Sequence, residues 1–446
     1  MLGVRGVVSA HPEPAESLVP LNLVPLKHVA RVNVATLDDM TDPDYAFDYV
    51  DISSVTPELG IARRERVTFG TAPSRARRKV AHGDTIVSTV RTYLRAVAFV
   101  DEPDDLVVST GFAVLSPCPG VDPRYLYRAV QSKPFVDEVV ARSTGVSYPA
   151  INPSDLGRIG VCLPDVGAQL AIADFLDRET AKIDALVAKK QRLIELLQEE
   201  RTAVISHTVT KGLDPEAPMK DSGIEWLSRM PATWEVRRLK QLTEFVTSGS
   251  RGWAEFYADE GPIFIRITNL DRKSVDLELS NVQHVNPPVG SEGERTRVRA
   301  GDVLVSITAD VGTVGIVPDG LGAAYVNQHT ALIRPQSSSV EPRWLALALH
   351  SGVGQRQFAA LLQGGTKLGL NLDDVRNLIV PVPPLADQRR LMRHIDDAGE
   401  RLGTLSATVS SALERLREHR SALITAAVTG QIDVGARKAR RQAERP

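Results

Sequence analysis

Only two cysteines occur among the 446 residues, Cys118 and Cys162, and they stand too far apart to form a disulfide framework or a thiolate metal site. That excludes a disulfide-stapled scaffold and makes a reducing, cytoplasmic setting the expectation. No stretch approaches the roughly twenty apolar residues of a membrane span. Residues 1–20 carry Arg5, His11, Glu13 and Glu16 where a secretory signal would have a basic start and an apolar core, so a soluble chain with no membrane partner is expected. The histidines show no compact ligand spacing, and no Gly-x-x-x-x-Gly-Lys-Ser/Thr run cradles a phosphate. No metal site and no cofactor bound by this chain are expected. Net charge is also lacking: 53 basic and 55 acidic residues leave −2, which does not advertise nucleic-acid binding.

What is present is a globular composition, 43% hydrophobic and 24% charged, at a length of about two to four domains. The balanced charge conceals a local basic run. Arg63, Arg64, Arg66, Arg75, Arg77, Arg78 and Lys79 are interrupted by the single acid Glu65, a source of positive field for phosphates or simply a solvated face.

An internal repeat organises the rest. Gly83-Asp84-Thr85-Ile86-Val87-Ser88 returns as Gly301-Asp302-Val303-Leu304-Val305-Ser306, 218 residues later (301 − 83). After one inserted residue, Asn152, Asp155, Pro164 and Gln169 return as Asn371, Asp374, Pro383 and Gln388, 219 later (371 − 152). Alternating apolar runs predict strands at Thr85–Val90, Val97–Val100, Phe112–Leu115, Ile263–Ile267, Val303–Ile307 and Ala331–Ile333, with short helices at Pro123–Ser132 and Pro342–Gln357.

Long helices close each repeat. Ile183, Val187, Lys190, Ile194, Leu197, Arg201 and Val204 are spaced by four and three, the seam of a coiled coil. The repeat carries that seam onto Leu402, Ser406, Val409, Leu413, Leu416, Arg420 and Leu423. The expected divisions are an N-terminal extension (1–24), a first mixed domain (25–166), a central spacer helix (167–211), a connector (212–235), a second mixed domain (236–385), a C-terminal spacer helix (386–430) and a basic tail (431–446). Ile224, Trp226, Leu227 and Trp234 are expected to dock the connector. The fold class is α/β or α+β: two repeated mixed domains separated by long helices.

The segments Ala72-Pro73-Ser74-Arg75-Ala76-Arg77-Arg78, Ser88-Thr89-Val90-Arg91, Ser143–Asn152, Ala171–Asp177 and Ile194–Glu199 make the chain resemble the specificity subunits of Type I restriction-modification systems. So do Gly223-Ile224-Glu225-Trp226-Leu227 and Pro231–Val236. The resemblance implies two target-recognition domains joined by antiparallel coiled-coil helices, each reading one part of a split site in double-stranded DNA. It also implies two modification (methyltransferase) subunits that methylate adenine with S-adenosylmethionine. Restriction subunits, the motor and nuclease, would use ATP and Mg. The chemistry would belong to those partners.

For DNA contact the candidates in the first domain are Arg75, Arg77, Arg78 and Lys79 for the backbone, and Arg91, Tyr93 and Arg95 for base edges or phosphate. Ser147 and Tyr148 lie in a loop of small polar residues that suits close approach to DNA. In the second domain they are Arg251, Trp253, Arg266, Thr268 and Asn269, then Thr308, Asn327, Gln328 and His329, with Lys367 as a phosphate contact. Each side chain has a structural alternative, holding a loop or packing a core. Asn286-Pro287-Pro288-Val289 resembles the Asn-Pro-Pro-aromatic signature of amino methyltransferases, but valine replaces the aromatic residue and no glycine-rich cofactor fingerprint accompanies it. The expectation is a non-catalytic DNA-reading subunit; the alternative is a coiled-coil assembly adaptor.

Overall fold

The computed structural model describes residues 23–102, 105–249, 251–287, 290–363 and 369–434. Most of the expected N-terminal extension, the tail beyond 434, and Lys367 lie outside them. Internal contacts divide the chain into two compact units, Met1–Gln191 with Ser411–Pro446, and Arg192–Ser410. Each long helix, Val166–Lys211 and Leu385–Val428, therefore gives one half to each unit.

The class is α+β. In the first unit an antiparallel sheet runs in the order Ala30–Val32, Phe112–Pro117, Thr85–Ser88, Val97–Phe99. A second sheet has the order Glu65–Thr68, Ala46–Val50, Leu106–Ser109, Ala76–Lys79, and its one parallel pairing joins Ala46–Val50 to Leu106–Ser109. The second unit uses the same plan. Thr243–Ser248, Thr330–Pro335, Val303–Ser306 and Val314–Ile316 form its antiparallel sheet, and Tyr257–Ile265 pairs in parallel with Ala324–Val326.

The strands read as near-continuous apolar runs because both faces are covered. In the first unit Val87, Val97, Ala113 and Leu115 pack on Leu126, Val130, Phe135 and Val139 of the short helices. The alternate residues Ile86, Ala98 and Val114 pack on Val50 and Val108 of the second sheet. In the second unit Val303, Val305, Ala331 and Ile333 share a core with Trp344, Leu345 and Phe358, and Leu304 and Leu332 face Ile265 and Val326. Burying one such aliphatic side chain stabilises the fold by about 1.5–3 kcal/mol. Leu227 and Trp234 belong to this second core, with Ile224 and Trp226 packed against it.

The repeated Gly-Asp pair now has a physical reason. Gly83 (φ 87°) and Gly301 (φ 83°) are left-handed, and a Cβ at either would press on Pro123 or Pro342 at 3.3 Å. The following carboxylates accept backbone N–H groups three residues back, Asp84 from Ala81 at 2.8 Å and Asp302 from Arg299 at 2.7 Å. Asn152 and Asn371 cap their helices by accepting from the N–H of Asp155 and Asp374. The single helix expected over Pro342–Gln357 is in fact two, Pro342–His350 and Gly352–Gln363. Ser351 is extended there, and its hydroxyl accepts from Val353 N, starting a new helix.

Equivalent contacts seat each domain on the long helices. Gln169 accepts from Asp122 N and donates to Pro164 O; Gln388 accepts from Glu341 N and donates to Pro383 O, all at 2.8 Å. Arg124 pairs with Asp177 and Arg343 with Asp396. Lys133 N donates to Thr425 Oγ1, and Gly352 N to Ser206 Oγ. In the first unit the two long helices pack together through Ile172, Leu176, Ile424 and Val428, with Arg420 bound to Asp184 at 2.8 Å. In the second, Ile205 and Val209 share a core with Leu391 and Ile395. Ile183, Val187, Leu197, Val409 and Leu413 are buried, and Ile194, Val204, Leu402, Leu416 and Leu423 are half-buried. Leu186, Leu193, Leu196 and Leu405, off the seam, are exposed.

Candidate nucleic-acid interface

In the first unit the strand Thr85–Ser88 runs into a tight loop. Thr89 donates its N–H to Gly111 O at 2.8 Å and accepts from Ile151 N at 2.9 Å, and Arg91 N donates to Pro149 O at 2.8 Å. These bonds lace the loop to residues 143–151. Arg91 (φ 51°) and Arg95 (φ 54°) are both left-handed and flank the turn Thr92–Leu94. That conformation is uncommon for residues other than glycine. Buried Thr92 pegs the turn through a 2.8 Å hydrogen bond between its hydroxyl and that of Ser143. Arg91, Tyr93, Leu94 and Arg95 are left facing solvent, and the Arg91 guanidinium lies 4.7 Å from the centre of the Tyr148 ring. Arg91, Tyr93, Arg95, Ser147 and Tyr148 thus meet on one pair of loops. Leu94 and Val146, exposed and apolar beside them, were missed in the sequence because nothing in their spacing marks them.

The basic run is more occupied than its composition implies. Arg66 pairs with Asp48 at 3.2 Å and Arg64 with Glu102 at 3.6 Å. Arg77 stacks on Phe69 at 4.6 Å and lies 3.7 Å from Asp39. Arg78 is half-buried, and Arg75 and Lys79 are exposed around the edge strand Ala76–Lys79. Among the described residues Arg91 and Arg95 have no carboxylate within ion-pair distance.

In the second unit the predicted residues divide. Trp253 is 2% exposed, packed on Phe264 and Tyr325 at 5.7 and 5.4 Å, which leaves it no surface for DNA. Asn269 is buried, accepting from Arg266 N and donating to Glu278 O and Asn281 O. Asn327 is buried too, and its side chain accepts from Thr330 Oγ1. Arg251 and Thr268 are exposed; Arg266, Thr308, Gln328 and His329 are half-buried.

Thr308, His329 and Gln328 form a chain: Thr308 Oγ1 lies 2.6 Å from His329 Nδ1, and Gln328 Nε2 lies 3.0 Å from His329 Nε2. The amide nitrogen can only donate, so Nε2 accepts and Nδ1–H donates to Thr308. Arg272, unmarked in the sequence, binds Asp310 in the adjacent turn at 2.5 and 2.8 Å. Its hydrogen bond holds the Asp310 carboxyl below the usual range. At the position matching Arg91 (309 − 91 = 218) stands Ala309, also left-handed at φ 58°.

Among the described residues no helix is long and apolar enough to cross a membrane, and no group of three or more His, Cys, Asp or Glu side chains is placed to hold a metal. Both cysteines are unpaired.

A family model described as Type I restriction modification DNA specificity domain matches residues 231–415. The specificity subunit of the Type I restriction enzyme EcoBI from Escherichia coli is 23% identical over 315 residues, covering 69% of this chain and 65% of that protein. The MjaVIII specificity subunit of Methanocaldococcus jannaschii is 20% identical, over 70% of this chain and 71% of its own length. The match thus spans just under two thirds of the first of these relatives. A solved structure described as showing complex assembly and conformational transition of the type I R-M system superposes with a TM-score of 0.68. It is 23% identical and covers 94% of this chain and 100% of its own.

Proposed function

We propose that this chain, a member of the family of Type I restriction-modification specificity subunits, reads a bipartite site in double-stranded DNA and carries no catalysis of its own. One observation supports this most directly. The two units share a scaffold down to individual capping residues, yet at the matched left-handed turn one carries Arg91, followed by Tyr93 and Arg95, and the other carries Ala309, preceded by Thr308. A common frame with different hydrogen-bonding groups is what two readers of different sequences require.

In this reading the target-recognition domains are 25–166 and 236–385. The long helices are antiparallel spacers between them: Asp184 meets Arg420 while the earlier Ile172 clusters with the later Ile424 and Val428. Two modification subunits, using S-adenosylmethionine, methylate adenine at the site; restriction subunits driven by ATP with Mg cut the DNA, all in the cytoplasm. Arg75, Arg78 and Lys79 serve the phosphate backbone, as does Lys367 in the second domain.

The test is methylation of a random DNA library by the chain reconstituted with its modification subunits. Methyl-adenine confined to one two-part motif is expected. Methylation without sequence preference in an intact assembly would instead make the chain a coiled-coil adaptor.

A further inference from the structure

We propose that Arg91 reads a guanine in the half-site of the first unit, and that Tyr148 is the positioning residue that holds its guanidinium for that contact. The inference rests on the DNA-reading function above. It begins with the backbone. Arg91 and Ala309 occupy matched, left-handed positions in the two units, so the strained turn belongs to the shared scaffold and the side chain upon it is what differs. In the first unit that turn is fixed by Arg91 N to Pro149 O, by the Val90–Ala150 bridge and by the Thr92–Ser143 hydroxyl bond.

The charge on the turn is uncommitted. Arg64, Arg66 and Arg77 have carboxylates within 4 Å, whereas among the described residues Arg91 has none. Its guanidinium carbon lies over the Tyr148 ring, 4.7 Å from the ring centre. A cation–π contact of this kind uses none of the N–H donors, and two parallel N–H donors of a guanidinium match the O6 and N7 acceptors on the major-groove edge of guanine.

A phosphate would accept the same donors, but the surroundings favour a base. Tyr93, Leu94 and Val146 are 54%, 45% and 102% exposed, and they give the turn an apolar flank. Such a flank gains from covering base edges and thymine methyls and nothing from a solvated phosphate. The matched turn of the second unit, with Ala309, has no guanidinium to offer, so this guanine contact belongs to the first unit alone.

The experiment compares the assembled specificity and modification subunits, wild type and variants, methylating a randomised double-stranded library. Wild type should require guanine at one position of one half-site. Arg91→Ala and Arg91→Lys should each reduce that discrimination by roughly tenfold or more, since lysine keeps the charge and loses the fork. Tyr148→Phe should keep the guanine preference, and Tyr148→Ala should weaken it. The other half-site should be unchanged throughout, which reports that the variants are folded and assembled.

Retention of the guanine requirement in Arg91→Ala would overturn the proposal. A uniform loss over all sequences, with a shallower salt dependence, would overturn it too by making Arg91 a phosphate contact. Wild-type methylation with no sequence preference would instead remove the DNA-reading function itself, and this inference with it.

Discussion

At position 350 the second unit holds a half-buried imidazole where the first carries Gln131 (350 − 131 = 219). Burial, reinforced by Arg201, pushes the His350 pKa below its ordinary value. A base with a lowered folded pKa takes its proton more readily when unfolded. Its neutral form costs no stability above about pH 6.5, and stability falls as pH drops through that value towards the folded one. Asp276 and Asp310 add no slope there. For Asp276, burial works to raise the pKa, but the hydrogen bond and charge of Arg343 outweigh it; Arg272 holds Asp310 low. The urea midpoint should therefore fall between pH 7.5 and 5.5, and His350→Gln should flatten that fall; parallel profiles would assign the dependence elsewhere. At this scale residue types were legible and roles were not. Trp253, Asn269 and Asn327 have side chains suited to DNA, yet packing by strands distant in sequence buries them. The left-handed backbone at Arg91 leaves no mark in its letters.

Among the elements, the long helices were the most legible, because a seam spaced by fours and threes is a local pattern. Leu413 on the seam is 4% exposed and Leu405 off it is 46% exposed. Leu413→Ala should cost about 2–5 kcal/mol, and Leu405→Ala within about 0.5 kcal/mol, measured by denaturant unfolding of the full chain. Equal costs would mean that the seam is not what joins the helices. Strand positions were also legible: the runs expected at Val303–Ile307 and Ala331–Ile333 form Val303–Ser306 and Thr330–Pro335. Strand order was not, because the parallel pairing of Ala46–Val50 with Leu106–Ser109 spans a separation on which no local pattern bears. The break at Ser351 escaped notice because the apolar pattern continues across it.

For the whole molecule, the 218-residue repeat made the two-part construction readable, since a shared Gly-Asp turn and shared caps imply a shared frame. If the long helices set the distance between half-sites, one heptad inserted in both at matched positions moves the domains apart by about 10 Å. At 3.4 Å per base pair the preferred gap should lengthen by about three base pairs, read on DNA with varied spacers. An unchanged optimum in a folded assembly would make the helices a docking platform. The central claim, that each unit reads its own half of the site, is tested most directly by replacing residues 25–164 with the corresponding segment of a relative of different specificity. Methylation mapping of the assembled chimaera should show one half-site exchanged and the other kept; simultaneous change or loss of both in a correctly assembled complex would contradict it.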